Sequence, residues 1–167
     1  RLALSERGPV RMRMRERRDV GFVFVGRGSE LARLRKLAHG LGNLRILDEV
    51  DPITLSGLLQ QCHVGIIALH PAHTTHNIPG KLVTYLHAGL PVLARVNPEN
   101  DLVDLVECEG VGLVVRGNNP EMLYAHACRL VDEAGLRIRM GEAGKSLAHR
   151  MFAPEAIAKQ VVAGLQR

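Results

Sequence analysis

The chain has 167 residues, 46% of them hydrophobic and 23% charged, with a net charge of +5. That is enough chain to bury the core of one domain, but no apolar run approaches the ~20 residues of a membrane span. Cys62, Cys108 and Cys128 lie far apart with no Cys-x-x-Cys. This excludes a disulfide framework or zinc knuckle and predicts buried free thiols in a reducing compartment. The chain shows no signal peptide, and beginning at Arg1 without Met it reads as a fragment.

The positive charge is concentrated at one end. Arg1, Arg7, Arg11, Arg13, Arg15, Arg17 and Arg18 fall in the first eighteen residues, and no aromatic residue is interleaved with them. A nucleic-acid site would want such stacking partners, so a nucleic-acid partner is not expected. The cluster reads as a solvated terminal helix, with a basic face against an anionic membrane surface as the alternative.

Strands and helices then alternate. Gly21 to Val25 is a short apolar run, predicted to be a strand buried on both faces. Leu31, Leu34, Leu37, Ala38 and Leu41 recur at helical spacing, with Gly40 and Gly42 as stop signals. Leu44 to Leu47 is a second strand, and Asp51-Pro52 an N-cap with a first-turn proline for a helix through Leu59. Val64 to Leu69, Pro91 to Val96 and Gly112 to Val115 are three further strands. Gly80-Lys81 opens a short helix after the third strand, and a helix over 101–107 follows the fourth. Helical patterns cover 120–133, 136–150 and 154–165. The alternation predicts βαβ units in a doubly wound parallel α/β sheet. Ligands of such sheets bind beyond the carboxyl ends of the strands, in the loops after Val25, Leu47, Leu69 and Val96.

Those loops hold the candidate residues. Asn77-Ile78-Pro79-Gly80-Lys81-Leu82 ends a polar loop at a helix start, where unpaired backbone N–H groups suit a phosphate and Lys81 adds a mobile cation. A surface lysine with no ligand is the alternative. A Walker A loop is excluded, since Leu82 stands where Ser or Thr is needed and Thr75 where Gly is. Gly26-Arg27-Gly28 is open between a tight turn and a ligand loop, because Leu31 replaces the third glycine of a dinucleotide fingerprint. His70, His73 and His76 have the spacing of metal ligands, but Pro71 interrupts any helix and no carboxylate or Cys joins them. They read as part of a polar lid, and His87 as a packing or surface residue. No metal and no catalytic residue is assigned.

The run from Asn77 to Ala94 resembles the nucleotide-sugar-binding segment of GT-B glycosyltransferases, specifically glycosyltransferase family 4. There a Pro-(Ser/Gly)-Lys-x-x-Glu-Tyr-x-x-x-Gly-x-Pro-Val pattern is common, and Pro79, Gly80, Lys81, Tyr85, Gly89, Pro91 and Val92 match it. The resemblance is continuous from Asp19 to about Leu165 and partial before that. It implies a Rossmann-like C-terminal half of a GT-B fold, with 1–167 a donor-binding domain lacking the N-terminal acceptor half. It also implies that Gly26, Arg27, Gly28 and Asn77 to Leu82 face the sugar and diphosphate, together with Arg7 and Arg1. Glu49 and Val50, in the turn Asp48-Glu49-Val50, would lie at the nucleobase. The family's ribose-binding Glu corresponds to Thr84 and its earlier acidic partner to His76, and a threonine makes fewer and weaker hydroxyl contacts than a carboxylate. Bacterial surface-polysaccharide members that lack this Glu often carry Asn-Ile-Pro-Gly-Lys, as here.

The implied reaction is retaining transfer of a sugar from a nucleoside diphosphate donor, UDP-linked, to a glycan or lipid-linked acceptor, without metal or other cofactor. The implied location is cytoplasmic, with peripheral contact at the inner membrane. A GT-B-fold sugar-nucleotide epimerase and a non-catalytic nucleotide-binding module are the alternatives.

Overall fold

The computed structural model describes Met14, residues 17–69 and residues 78–152. The readings made for Arg1, Arg7, His70, His73, His76, Asn77 and a helix over 154–165 lie outside the described residues. The elements run β1 (Phe22–Val25), α1 (Leu31–Ala38), β2 (Leu44–Leu47), α2 (Pro52–Gln60), β3 (Gly65–Ala68) and α3 (Gly80–His87). They continue with β4 (Val92–Val96), α4 (Leu102–Cys108), β5 (Gly112–Arg116), α5 (Pro120–Asp132) and α6 (Ala134–Phe152).

Local chemistry sets the boundaries. The Asp51 carboxylate caps α2, accepting from the Ile53 and Thr54 amides at 2.9 and 3.0 Å, with Pro52 in the first turn. The Thr54 hydroxyl and these amides hold the Asp51 carboxyl below its ordinary range. Asn119 caps α5 in the same way, accepting from Met122 N–H at 3.0 Å. At the end of α3, Gly89 takes a positive φ of 69°. Its N–H bonds the Leu86 carbonyl at 3.0 Å and the Leu90 N–H reaches Tyr85 at 2.9 Å, a Schellman stop that turns the chain into β4.

All strand pairings are parallel, as the alternation predicts. They form two pieces, a β1–β2 pair and a three-stranded sheet in the order β3-β4-β5. Among the described residues, no strand joins β1 to β3, so the single predicted sheet is divided at that point.

The core sits on the second piece. Every residue of β4 is buried. Val92, Ala94 and Val96 pack with Leu82 and Leu86 of α3, Leu102 and Val106 of α4, and Leu147 of α6. Leu93 points to the opposite face, against Leu130 of α5 and Met140 of α6. Helices therefore cover both faces of β4, and each fully buried leucine contributes about 1.5–3 kcal/mol.

The first piece differs from expectation. β1 is not buried on both faces: Val23 is 50% exposed, because among the described residues β1 pairs only with β2. The cysteines are free thiols but not core ones, since Cys62 and Cys128 are half-buried and Cys108 is exposed in the last turn of α4.

Arg17 ties the two pieces together. Its guanidinium donates at 2.7 Å to both Asp19, just before β1, and Asp132, the last residue of α5. The Arg17 hydrogen bond lowers the Asp19 carboxyl pKa to about 2.

Candidate functional site

The carboxyl ends of the parallel strands define the candidate rim. Helix α5 starts directly after β5 and runs back along β5 and β4 for thirteen residues, so its last residue, Asp132, lies at the amino end of that sheet. Arg17 links Asp132 to Asp19, just before β1. Because the strands within each piece are parallel, the loops after β1 and β2 share one edge and those after β3, β4 and β5 another, the edges where ligands of α/β sheets bind. A shallow depression lined by Arg18, Asp19, Val20, Gly21, Gly42 and Asn43 lies at the opposite end of β1 and β2 and adds nothing to them.

Two loops of this rim are joined directly. Gly26 N–H donates to the Leu47 carbonyl at 3.3 Å, and the Arg27 guanidinium pairs with the Glu49 carboxylate at 3.2 Å. Asp48 of the same turn is held by Arg35 of α1 at 2.9 Å. The residues predicted to face the phosphates and the base are therefore adjacent at this point. The Arg27–Glu49 pair is well exposed, and such pairs contribute about 0–1 kcal/mol, so an incoming anion can displace it. Gly28 has a φ of 140° with open space around it. Val50 is half-buried beside these charges.

The third loop ends at α3. Pro79 is its N-cap residue and no side chain caps the first turn. The Leu82 N–H is already given to the Pro79 carbonyl at 2.8 Å, and its side chain is fully buried. Leu82 therefore anchors the helix in the core, leaving Gly80 and Lys81 as the residues facing outward. Lys81 is exposed and makes no ion pair with a described residue. Ile78 is exposed and Pro79 half-buried beside it. Thr84, one turn on and also exposed, donates its hydroxyl to the Gly80 carbonyl at 3.3 Å. Tyr85 packs over Gly65 and donates to the Ile66 carbonyl at 3.4 Å, which fastens α3 to β3.

Residues 8–133 match the family model for glycosyl transferases group 1. The chain belongs to this family. The group 1 glycosyl transferase assignment agrees with a likeness to solved structures. The chain is similar to WaaG, a glycosyltransferase involved in lipopolysaccharide biosynthesis, with a TM-score of 0.58 and 21% identity. That alignment covers 75% of this chain and 33% of WaaG, so the chain spans about a third of that protein's length. It shows a GT-B Rossmann-like domain. Two looser likenesses are to the spinosyn forosaminyltransferase SpnP and to a putative UDP-N-acetylglucosamine 2-epimerase from Listeria monocytogenes. SpnP aligns with a TM-score of 0.41 at 17% identity, over 89% of this chain and 44% of that one. The epimerase aligns with a TM-score of 0.47 at 14% identity, over 90% and 47%. No curated protein sequence matches significantly.

Sequence reasoning named the loop after β4 without assigning a residue there, and passed over the loop after β5. Arg95, one residue from the end of β4, is 8% exposed, and its guanidinium reaches the Leu69 carbonyl after β3 and the Asn118 amide oxygen after β5. The available signal was an arginine inside the otherwise apolar run Pro91 to Val96. Asn100, 4% exposed, shapes the neighbouring turn by accepting from Leu102 N–H at 3.0 Å.

Proposed function

We propose that the chain is the donor-binding, C-terminal half of a retaining glycosyltransferase that moves a sugar from a UDP-linked donor to a glycan acceptor. The observation that carries this is Lys81, exposed and free of described ion-pair partners, at the uncapped start of α3 on the rim of a group 1 glycosyl transferase domain. Charge develops on the leaving diphosphate during such a transfer. Outward N–H groups and a cation held in advance stabilise it without reorganising, with Lys81 and Arg27 supplying the positive charge a metal would otherwise bring. Glu49 and Val50 would contact the base, and Thr84 the ribose. The acceptor and any base acting on it belong to an N-terminal half, so this domain binds donor without turnover. WaaG's involvement in lipopolysaccharide biosynthesis supports surface-polysaccharide assembly as the setting, and we place it at the cytoplasmic side of a membrane.

Calorimetric titration with UDP, GDP, dTDP, their sugar conjugates and NAD tests this reading. A nucleoside diphosphate is expected to bind more tightly than NAD. Preferential binding of NAD, or of none of the nucleoside diphosphates, overturns it.

A further inference from the structure

We propose that Arg95 is a positioning residue for the anionic part of the ligand, an inference that rests on the donor-binding reading above. Arginine is almost never this buried unless paired, yet Arg95 sits at 8% exposure within a strand otherwise made of Val, Leu and Ala. Its two hydrogen bonds to described residues are long, 3.3 Å to Asn118 and 3.4 Å to Leu69, and both acceptors are neutral. No carboxylate among the described residues lies within ion-pairing distance of it. A buried charge left in that state is destabilising compared with an apolar side chain of the same volume. Packing alone therefore does not account for an arginine here.

Its position does. Leu69 follows the last residue of β3, while Asn118 precedes the cap of α5. One planar guanidinium thus pins the carboxyl ends of three neighbouring strands at the rim. It also sets a fixed positive charge at the carboxyl end of the β3-β4-β5 sheet, in surroundings that screen it less than water does. An anionic ligand at the rim supplies the negative charge that the site lacks when empty. Arg95 acts through the backbone it fixes and the field it imposes, without touching the reacting atoms.

The test compares this chain with Arg95→Met and Arg95→Lys, titrated with pyrophosphate and with UDP, alongside thermal melting. Arg95→Met is expected to bind both ligands about tenfold more weakly and with a shallower dependence on salt, because charge-assisted contacts are among the stronger hydrogen bonds. Arg95→Lys, which keeps the charge but loses the planar fork, is expected to lose less affinity than Arg95→Met. Should Arg95→Met fail to fold, Arg95→Gln keeps a donor for Leu69, drops the charge and carries the same expectation. Unchanged pyrophosphate affinity in the uncharged variants overturns the proposal, as does an equal loss in Arg95→Lys accompanied by a lower melting temperature. If the wild type binds pyrophosphate but not UDP, the donor reading fails and the Arg95 comparison still decides on pyrophosphate. Binding of neither ligand overturns both.

Discussion

Replacing Lys81 with Ala separates a ligand contact from a structural one. Lys81 is exposed and pairs with no described carboxylate, so the folded state loses little when it is truncated, and surface changes of this kind stay within about 0.5 kcal/mol. The effect on binding is different in size. Two unit charges at ~4 Å attract by about 1 kcal/mol in bulk water and about 4 kcal/mol at an effective dielectric near ~20, typical of a protein surface. A rim residue at an uncapped helix start lies between these limits, and a charge-assisted hydrogen bond contributes about 1.5–3 kcal/mol. The expected loss for Lys81→Ala is therefore ~1.5–3 kcal/mol, or about 10- to 150-fold in Kd. Arg27→Ala should lose less, because Glu49 already offsets that guanidinium in the empty site. Isothermal calorimetry with UDP at fixed ionic strength, run beside a thermal melt, reads both quantities. A marked fall in melting temperature with unchanged affinity would refute the argument and make Lys81 a structural residue.

Three other outcomes follow from the geometry. Thr84→Glu should tighten UDP by up to ~2 kcal/mol while leaving pyrophosphate unchanged, since only the nucleotide has hydroxyls for a carboxylate to accept from; equal changes for both ligands in calorimetry would show that Thr84 faces away. In α6, Gly141→Ala should lower stability by about 1–3 kcal/mol, because the new methyl would strike the Gly89 carbonyl. Gly135→Ala meets only the flexible Arg139 side chain and should raise stability by about 0.5–1 kcal/mol, so melts that move in the same direction would contradict the packing. Burial, reinforced by Arg129 and opposed by Glu107, holds His126 below its ordinary value of 6.5, and its Nδ1 is buried without a partner among the described residues. The unfolded chain takes up a proton first as pH falls, so stability should decline below about pH 6.5 until the folded-state pKa is passed. Melts from pH 5 to 8 should show a shallower slope in His126→Leu than in the wild type.

What could be read from the residues was mostly local. Asp51-Pro52 and Gly89 marked helix boundaries because capping and Schellman geometry depend on a few neighbouring atoms. Lys81 was legible for the same reason, as a cation beside a helix start. Burial was less so: the run Gly21 to Val25 looks like an inner strand, but exposure depends on which elements flank it, and Val23 stays half-open. Leu82, counted with the phosphate loop, turned inward because helical spacing puts it on the same face as Leu86. Arg95 could not be placed at all from its neighbours. An arginine in a strand reads as an outward residue until the topology brings Leu69 and Asn118 within reach of it.

The uneven distribution of the core bears on how this rim can diverge. Glu49, Val50 and the glycine loop stand on β1, α1, β2 and α2, none of which holds a fully buried residue, whereas Lys81 and Arg95 stand on elements locked into the core. Substitutions on the first set meet little packing and so cost little stability, while changes to the buried neighbours of the second, such as Leu82, Leu86 and Ala94, disturb the fold itself. Drift is thereby channelled: one side of the rim is free to vary in what it selects, and on the other the backbone that carries Lys81 and Arg95 is held in place.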